Sequence, residues 1–402
     1  MKKFLTLILL AALIAPVTVQ AAPQSIAEDS VYRRPVASFL IPLQLDSLFP
    51  NNRYRFGNNI PRNVLPYLEY YNGLRLAIDS LNEEGIDAHI QVIDTRPNGG
   101  LQGIFQSSAL RRSDMLIGIA LNTADLREMS DFARNRNIPF ISTTFPNDGG
   151  IVENPSLYIL NPTLKTHIFS SYRFLKKMHS RDNLLVMTRR GNAEPYLKAW
   201  IDEAAAQDSS QSLNLQFHTL NDSFSIQQIL PLLDSNRTNI IWGATLTDAF
   251  ARRLAKMIAP LSVTYPVAIL GMPTWDGIDF TGKDYNGLDV FLSTPFISSM
   301  GNAEAYTSFN RRYNNSQHSR PSDMASKGYE FAYRLVKALA RDSLSGSSDS
   351  LLIKLNHPEM RIFNEVEFQP VYAPGKPGVI NYYENRKLYF IHKNNGAVRA
   401  VF

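Results

Sequence analysis

Short apolar runs alternate with amphipathic stretches along this chain, and they do so in two successive series. In the first, 36–43, 89–93, 115–119 and 140–142 read as buried strands, while 68–84 and 124–135 carry apolar residues at helical spacing. Leu74, Ala77, Ile78 and Leu81 mark the apolar face of the longer helix, and Gly85 supplies a C-terminal stop. The pattern restarts with a helix over 166–179. Strands follow at 183–187, 213–219, 239–242, 267–271 and 289–293, with helices over 195–206, 226–233 and 247–258 between them. Strands that alternate with helices imply right-handed β-α-β crossovers and therefore parallel sheets. One series of about 125 residues and another of about 135 suit two domains better than one oversized sheet, so the reading is α/β with two Rossmann-like lobes.

Helices over 303–313 and 325–340 come next, and the Ser/Gly-rich stretch 343–350 reads as a linker. The tail differs in character. Residues 364–368 and 381–392 alternate and carry aromatics, which predicts an antiparallel pair added to a sheet edge.

The N-terminus has its own logic. Lys2 and Lys3 form a positive region, an apolar stretch runs to Pro16, and Val19 and Ala21 supply small residues before a cleavage point. Residues 1–21 are thus expected to be a signal peptide and 22–34 a flexible lead, with the product in the periplasm. The apolar stretch is too short to span a membrane. The chain has no cysteine, so no lipid-modified cysteine follows the signal, and the protein is not expected to be membrane-embedded.

The formal net charge is +5, but basic and acidic residues are interspersed, and no polybasic run points to nucleic acid. No Gly-x-Ser-x-Gly elbow, Walker loop or Gly-x-Gly-x-x-Gly fingerprint occurs. The seven histidines are dispersed without ligand spacing, so neither a metal, a cofactor nor a catalytic residue is expected. The chain reads as a non-enzyme.

Several stretches, in order, resemble the type I periplasmic-binding superfamily, whose members include Leu/Ile/Val-binding proteins of ABC transporters. They are Val36-Ala37-Ser38-Phe39-Leu40-Ile41-Pro42-Leu43 with Glu69-Tyr70-Tyr71-Asn72-Gly73, then Ile93-Asp94-Thr95, and Leu116-Ile117-Gly118 leading to Ile138-Pro139-Phe140-Ile141-Ser142. Later come Ile269-Leu270-Gly271-Met272-Pro273-Thr274-Trp275, Pro321-Ser322-Asp323 and Gly328-Tyr329-Glu330. Gly271-Met272-Pro273-Thr274-Trp275 and Tyr382-Tyr383-Glu384-Asn385 are similar to a Bacteroidota group often fused to LysM repeats, though no LysM module fits within 22–34. The resemblance implies discontinuous lobes around a central cleft. Lobe 1 would hold 35–160 and 297–345, lobe 2 would hold 161–296 and 346–402. The three crossovers would lie near Asn161-Pro162, Thr294-Pro295 and 343–350.

Ligands of open parallel sheets sit beyond the carboxyl ends of the strands. There the chain has Asn122 and Thr123, which suit a helix cap, and three consecutive hydroxyls at Ser142, Thr143 and Thr144. In amino-acid-binding relatives these two turns hold the α-carboxylate and ammonium. Lobe 2 adds Tyr196, Thr245, Trp275 and Asp276. The sequence departs from amino-acid binders in three places. It has Gly118-Ile119-Ala120-Leu121-Asn122-Thr123 where they have Gly-Pro and serines. It has Gly243-Ala244-Thr245-Leu246 where they present an aromatic. It has Thr274-Trp275 where they place an acid, with Asp276 one step on. A basic, aromatic insertion over 49–66 brings Arg53, Tyr54, Arg55 and Arg62 toward the cleft mouth. Two functions follow. One is a binding protein for a small polar or anionic ligand that works with an ABC permease or sensor. The other is a ligand-free envelope scaffold that regulates peptidoglycan synthesis through protein contacts.

Overall fold

The computed structural model describes residues 33–97, 100–209, 212–342 and 348–402. The proposed signal peptide and nearly all of the lead lie outside the described residues.

The first lobe begins with β1 (Val36–Ile41), whose six residues are all buried, as a strand covered on both faces must be. A short helix α1 (Leu45–Leu48) and a long α2 (Leu65–Glu83) follow, the latter with Pro66 in its first turn, where its missing amide costs nothing. Then come β2 (His89–Asp94), α3 (Gly100–Phe105), β3 (Met115–Gly118), α4 (Thr123–Arg136), β4 (Phe140–Ser142) and β5 (Leu157–Ile159). The chain now enters the second lobe through α5 (Leu164–Met178), β6 (Asn183–Arg189), α6 (Glu194–Ala206), β7 (Leu215–Leu220), β8 (Asn239–Gly243), α7 (Asp248–Ile258), β9 (Val267–Leu270) and β10 (Asp289–Thr294). It returns with α8 (Ala303–Gln317), α9 (Asp323–Asp342), α10 (Ser348–Leu355), β11 (Phe368–Tyr372) and β12 (Ile380–Asn385), and finishes as β13 (Tyr389–Asn394) and β14 (Ala397–Ala400).

Two seven-stranded sheets result, in the orders β11-β12-β5-β4-β3-β1-β2 and β14-β13-β10-β9-β8-β6-β7. Both are mostly parallel, each with antiparallel pairing at one edge. Helices cover both faces of the first sheet, α2, α9 and α10 packing on one and α3 and α4 on the other. α2 and α9 approach closely because two glycines face the contact. A Cβ on Gly73 would stand 1.9 Å from the Ala325 carbonyl oxygen, and one on Gly328 would stand 2.0 Å from that of Tyr70.

The tail requires a correction. Residues 346–402 do not form one lobe 2 segment: β11 and β12 pair into the first sheet, and only β13 and β14 extend the second. The third crossover is therefore the short link between β12 and β13. Of the proposed linker, 343–347 lies outside the described residues, and Ser348 already begins α10. The antiparallel pair expected in the tail exists as β11–β12, but 381–392 divides between two sheets. The helix expected over 226–233 is two 3-10 turns, Ile226–Gln228 and Leu230–Leu232. Pro231 offers no amide to an α-helical ladder there.

The crossovers are tied together. Glu384 at the end of β12 accepts from the Thr163 amide at 2.6 Å, and Asn385 Nδ2 donates to the Leu160 carbonyl at 3.1 Å. The first and third links thus run side by side.

Candidate functional site

The carboxyl ends of β3 and β4 are adjacent, with Gly118 opposite Ser142, so the two polar turns of lobe 1 come together. Asn122 caps α4: its Oδ1 accepts from the Asp125 amide at 2.9 Å. Asp125 folds back to accept from the Leu121 amide at 3.0 Å and is held by Arg96. Thr123 opens the helix and is exposed. Part of the anion-attracting end of α4 is therefore already occupied by the helix's own carboxylate.

The hydroxyl turn is graded in depth. Ser142 is buried, and its Oγ has no hydrogen-bond partner among the described residues. Thr143 is buried too, its Oγ1 donating to the Gly118 carbonyl at 3.1 Å. Thr144 is half-buried, and its carbonyl accepts from Asn161 Nδ2 at 2.9 Å, next to the first crossover.

In lobe 2 the candidates behave differently. Trp275 is 0% exposed. Its indole lies over the ends of β8 and β9, where a Cβ on Gly243 would stand 2.1 Å from Cη2 and one on Gly271 would stand 2.6 Å from Cε3. Its Nε1 donates to the Thr245 carbonyl at 2.9 Å. The expected stacking face is thus spent on packing. Thr245 is buried, with Oγ1 donating to Glu194 Oε1 at 2.9 Å. Glu194 in turn faces Arg189, which forks onto Asp222 with two bonds of 2.8 Å. Tyr196, 66% exposed on α6, is not drawn into this network. Asp276 is engaged by Lys393, whose Nζ donates to Oδ1 at 2.6 Å. A ligand ammonium would have to compete with that lysine.

Lys327 went unnoticed in the sequence. It sits in α9, half-buried, with its ammonium 4.8 Å from the ring centroid of Phe296 in the second crossover. No hydrogen bond or ion pair engages it among the described residues. Burial pushes its pKa below the ordinary lysine value, outweighing the pull of Asp323 on its own helix and Asp276 from the other lobe. The signal was a lysine four residues before Phe331 within an apolar stripe.

Among the described residues no three His, Cys, Asp or Glu side chains gather as a metal site, and no helix is long and apolar enough to cross a membrane.

No family model and no curated protein matches the chain. Solved structures do. A putative branched-chain amino acid ABC transporter from Rhodospirillum rubrum matches with a TM-score of 0.63 at 14% identity, over 92% of this chain and 100% of that one. An ABC transporter substrate-binding protein from Desulfitobacterium hafniense matches with 0.60 at 12% identity, over 92% and 100%. A branched-chain amino acid ABC transporter periplasmic ligand-binding protein from Burkholderia xenovorans matches with 0.58 at 10%, over 92% and 95%. Identities this low speak to architecture alone. With its two lobes, each built on a mostly parallel seven-stranded sheet, the chain has the type I periplasmic-binding fold.

Proposed function

We propose that the protein captures a small polar or anionic ligand, of the amino-acid, peptide or cell-wall-fragment class, between its lobes and presents it to an ABC permease or a sensor. Lys327 carries this reading. A half-buried ammonium with no hydrogen bond or ion pair, whose burial outweighs the pull of Asp323 and Asp276, is costly, and an anionic group entering beside it offsets that cost. Thr144 and the part of the α4 N-terminus not taken by Asp125 lie on the same lobe as Lys327. The names of the structural relatives, which include ABC transporter substrate-binding proteins, support a binder without catalysis. Because Asp276 already holds Lys393, a ligand acid without a free α-ammonium fits better than an ordinary amino acid. Export by residues 1–21 and residence in the periplasm belong to this proposal. So does kinship with the LysM-bearing Bacteroidota group, which rests on the sequence stretches alone.

The scaffold reading draws on Trp275. A lobe 2 rim filled by its own indole, with Thr245, Glu194 and Arg189 bonded to one another, leaves little for a ligand to engage. Thermal melting against amino acids, dipeptides, muropeptides and sugars separates the two. A rise of several degrees with one compound supports capture, since a ligand selective for the folded state stabilises it. A flat panel, with a partner recovered by cross-linking of the envelope, overturns it in favour of the scaffold.

A further inference from the structure

We propose that the insertion between β1 and α2 forms a second binding site, sharing no lining residue with the polar turns after β3 and β4, for the aliphatic chain of an anionic amphiphile. A cavity of about 530 Å³ opens between the insertion, α2 and β2. Leu43, Leu48, Phe49, Ile60, Val64 and Val92 are among its walls. That size falls within the range of small-molecule pockets, and a wall this apolar selects an apolar occupant. The Tyr54 hydroxyl in the lining donates to the Asn59 carbonyl at 2.5 Å. The Asp94 carboxylate, also in the lining, accepts amides of Gln44, Leu45 and Arg96 at 3.1, 2.7 and 2.9 Å. Both are engaged in holding the insertion in place.

The cavity is open to solvent, and its rim is unusually apolar for an exposed segment. Leu45, Phe49, Phe56 and Ile60 keep 43%, 44%, 40% and 45% of their surfaces exposed. Contiguous exposed apolar surface of this kind marks a binding site. The insertion is also shaped by its own contacts. Phe49 packs on Tyr54 at 5.3 Å, Tyr54 on Phe56 at 6.1 Å, and the Arg55 amide returns to the Leu48 carbonyl at 2.9 Å.

Charge fixes the second half of the ligand. Arg53 and Arg55 flank Tyr54, and Arg62 follows Ile60 by two residues. All three are exposed and form no ion pair among the described residues. Asp46 is the insertion's own acidic residue against these three arginines. A pocket that takes a chain, beside guanidinium groups without counter-charges, matches a single-chain carboxylate or phosphate amphiphile. It does not match a neutral or cationic one.

The test is calorimetric titration of the full chain with octanoate, decanoate and dodecanoate below their micelle concentrations, and with dodecyltrimethylammonium. One site is expected, tightening roughly tenfold for the two methylenes between octanoate and decanoate, with the cationic surfactant at least tenfold weaker than dodecanoate. Ile60→Glu should abolish dodecanoate binding, and Arg53→Glu with Arg55→Glu should weaken it. Both changes are at exposed positions, and unchanged melting curves confirm that the variants fold. The proposal is overturned if dodecanoate does not bind, if both head groups bind equally, or if Ile60→Glu leaves binding intact. It is equally overturned if the protein floats with anionic vesicles or self-associates through this face while ignoring monomeric dodecanoate. A flat melting panel for the cleft leaves this site untouched, so the two readings fail independently.

Discussion

Glu330 grips Asn364 at both ends: Oε1 accepts the Asn364 main-chain amide at 2.7 Å and Oε2 accepts Nδ2 at 2.6 Å. Asn364 Oδ1 then accepts the Ile297 amide at 2.7 Å, just beyond the second crossover. Arg334, one turn along α9, stands 3.6 Å from Glu330 and donates to the Asn364 carbonyl at 2.5 Å. The Glu365 amide next in the chain donates to the Tyr389 hydroxyl at 2.8 Å, at the start of β13. A buried ion pair on one helix thus fastens a segment that touches two of the three inter-lobe links.

Glu330→Gln should therefore be severe. It keeps the shape but leaves Arg334 buried without its counter-charge, a change that costs about 3–5 kcal/mol. Urea unfolding checks this. Asp202→Asn, which breaks the exposed pair with Lys198, should cost no more than about 0.5 kcal/mol in the same assay.

Gly73→Ala and Gly328→Ala should each destabilise lobe 1. The new methyl meets main-chain oxygen at 1.9 or 2.0 Å, and backbone cannot swing aside, so α2 and α9 must separate. A cost of about 1–3 kcal/mol or more follows for overpacking of this kind. Gly277→Ala, where a Cβ meets nothing, is the control.

His167 gives the protein an acid-sensitive term. It is buried against Ser293, at 2.8 Å from Oγ, and burial pushes its pKa down from 6.5 to about 3. Above pH 6.5 neither folded nor unfolded chain holds the proton. Between pH 6.5 and about 3 the unfolded chain binds it and the folded chain does not, so stability falls with pH by up to about 1.4 kcal/mol per unit. His167→Asn should flatten the decline of the urea midpoint between pH 6.5 and about 5, above the range where most carboxylates titrate. An unchanged slope would show that the decline comes from elsewhere.

Much of this architecture was legible because the parallel strands are buried on both faces. β1, β8 and β9 are buried throughout and largely apolar for that reason, with Ser38 and Asn239 as the polar exceptions. β5 escaped notice because three residues carry no period. The tail misled because alternation reveals a strand but not its sheet: Tyr382 and Phe390 look alike in sequence, yet one pairs into lobe 1 and the other into lobe 2. The site was legible only where local chemistry decides it. Asn122 caps α4 as its spacing implies. The burial of Trp275 rests on the room left at Gly271, four residues earlier, and at Gly243 at the end of β8, which spacing along the chain does not connect to it.

Lys327 offers the sharpest separation of stability from function. In the free protein its ammonium is partly desolvated and lacks an acceptor, so Lys327→Met removes a cost and should raise the melting temperature by roughly 2 °C or more. The same change deletes the charge that an anionic ligand would meet. For the compound that stabilises the wild type in the melting panel, Lys327→Met should weaken binding at least tenfold, while Lys327→Arg retains most of it because the charge persists. A purely structural lysine would behave in the opposite sense: its loss would lower the melting temperature and leave ligand affinity unchanged. Melting without ligand tests the first half even if every compound in the panel is silent, and titration with the stabilising compound tests the second.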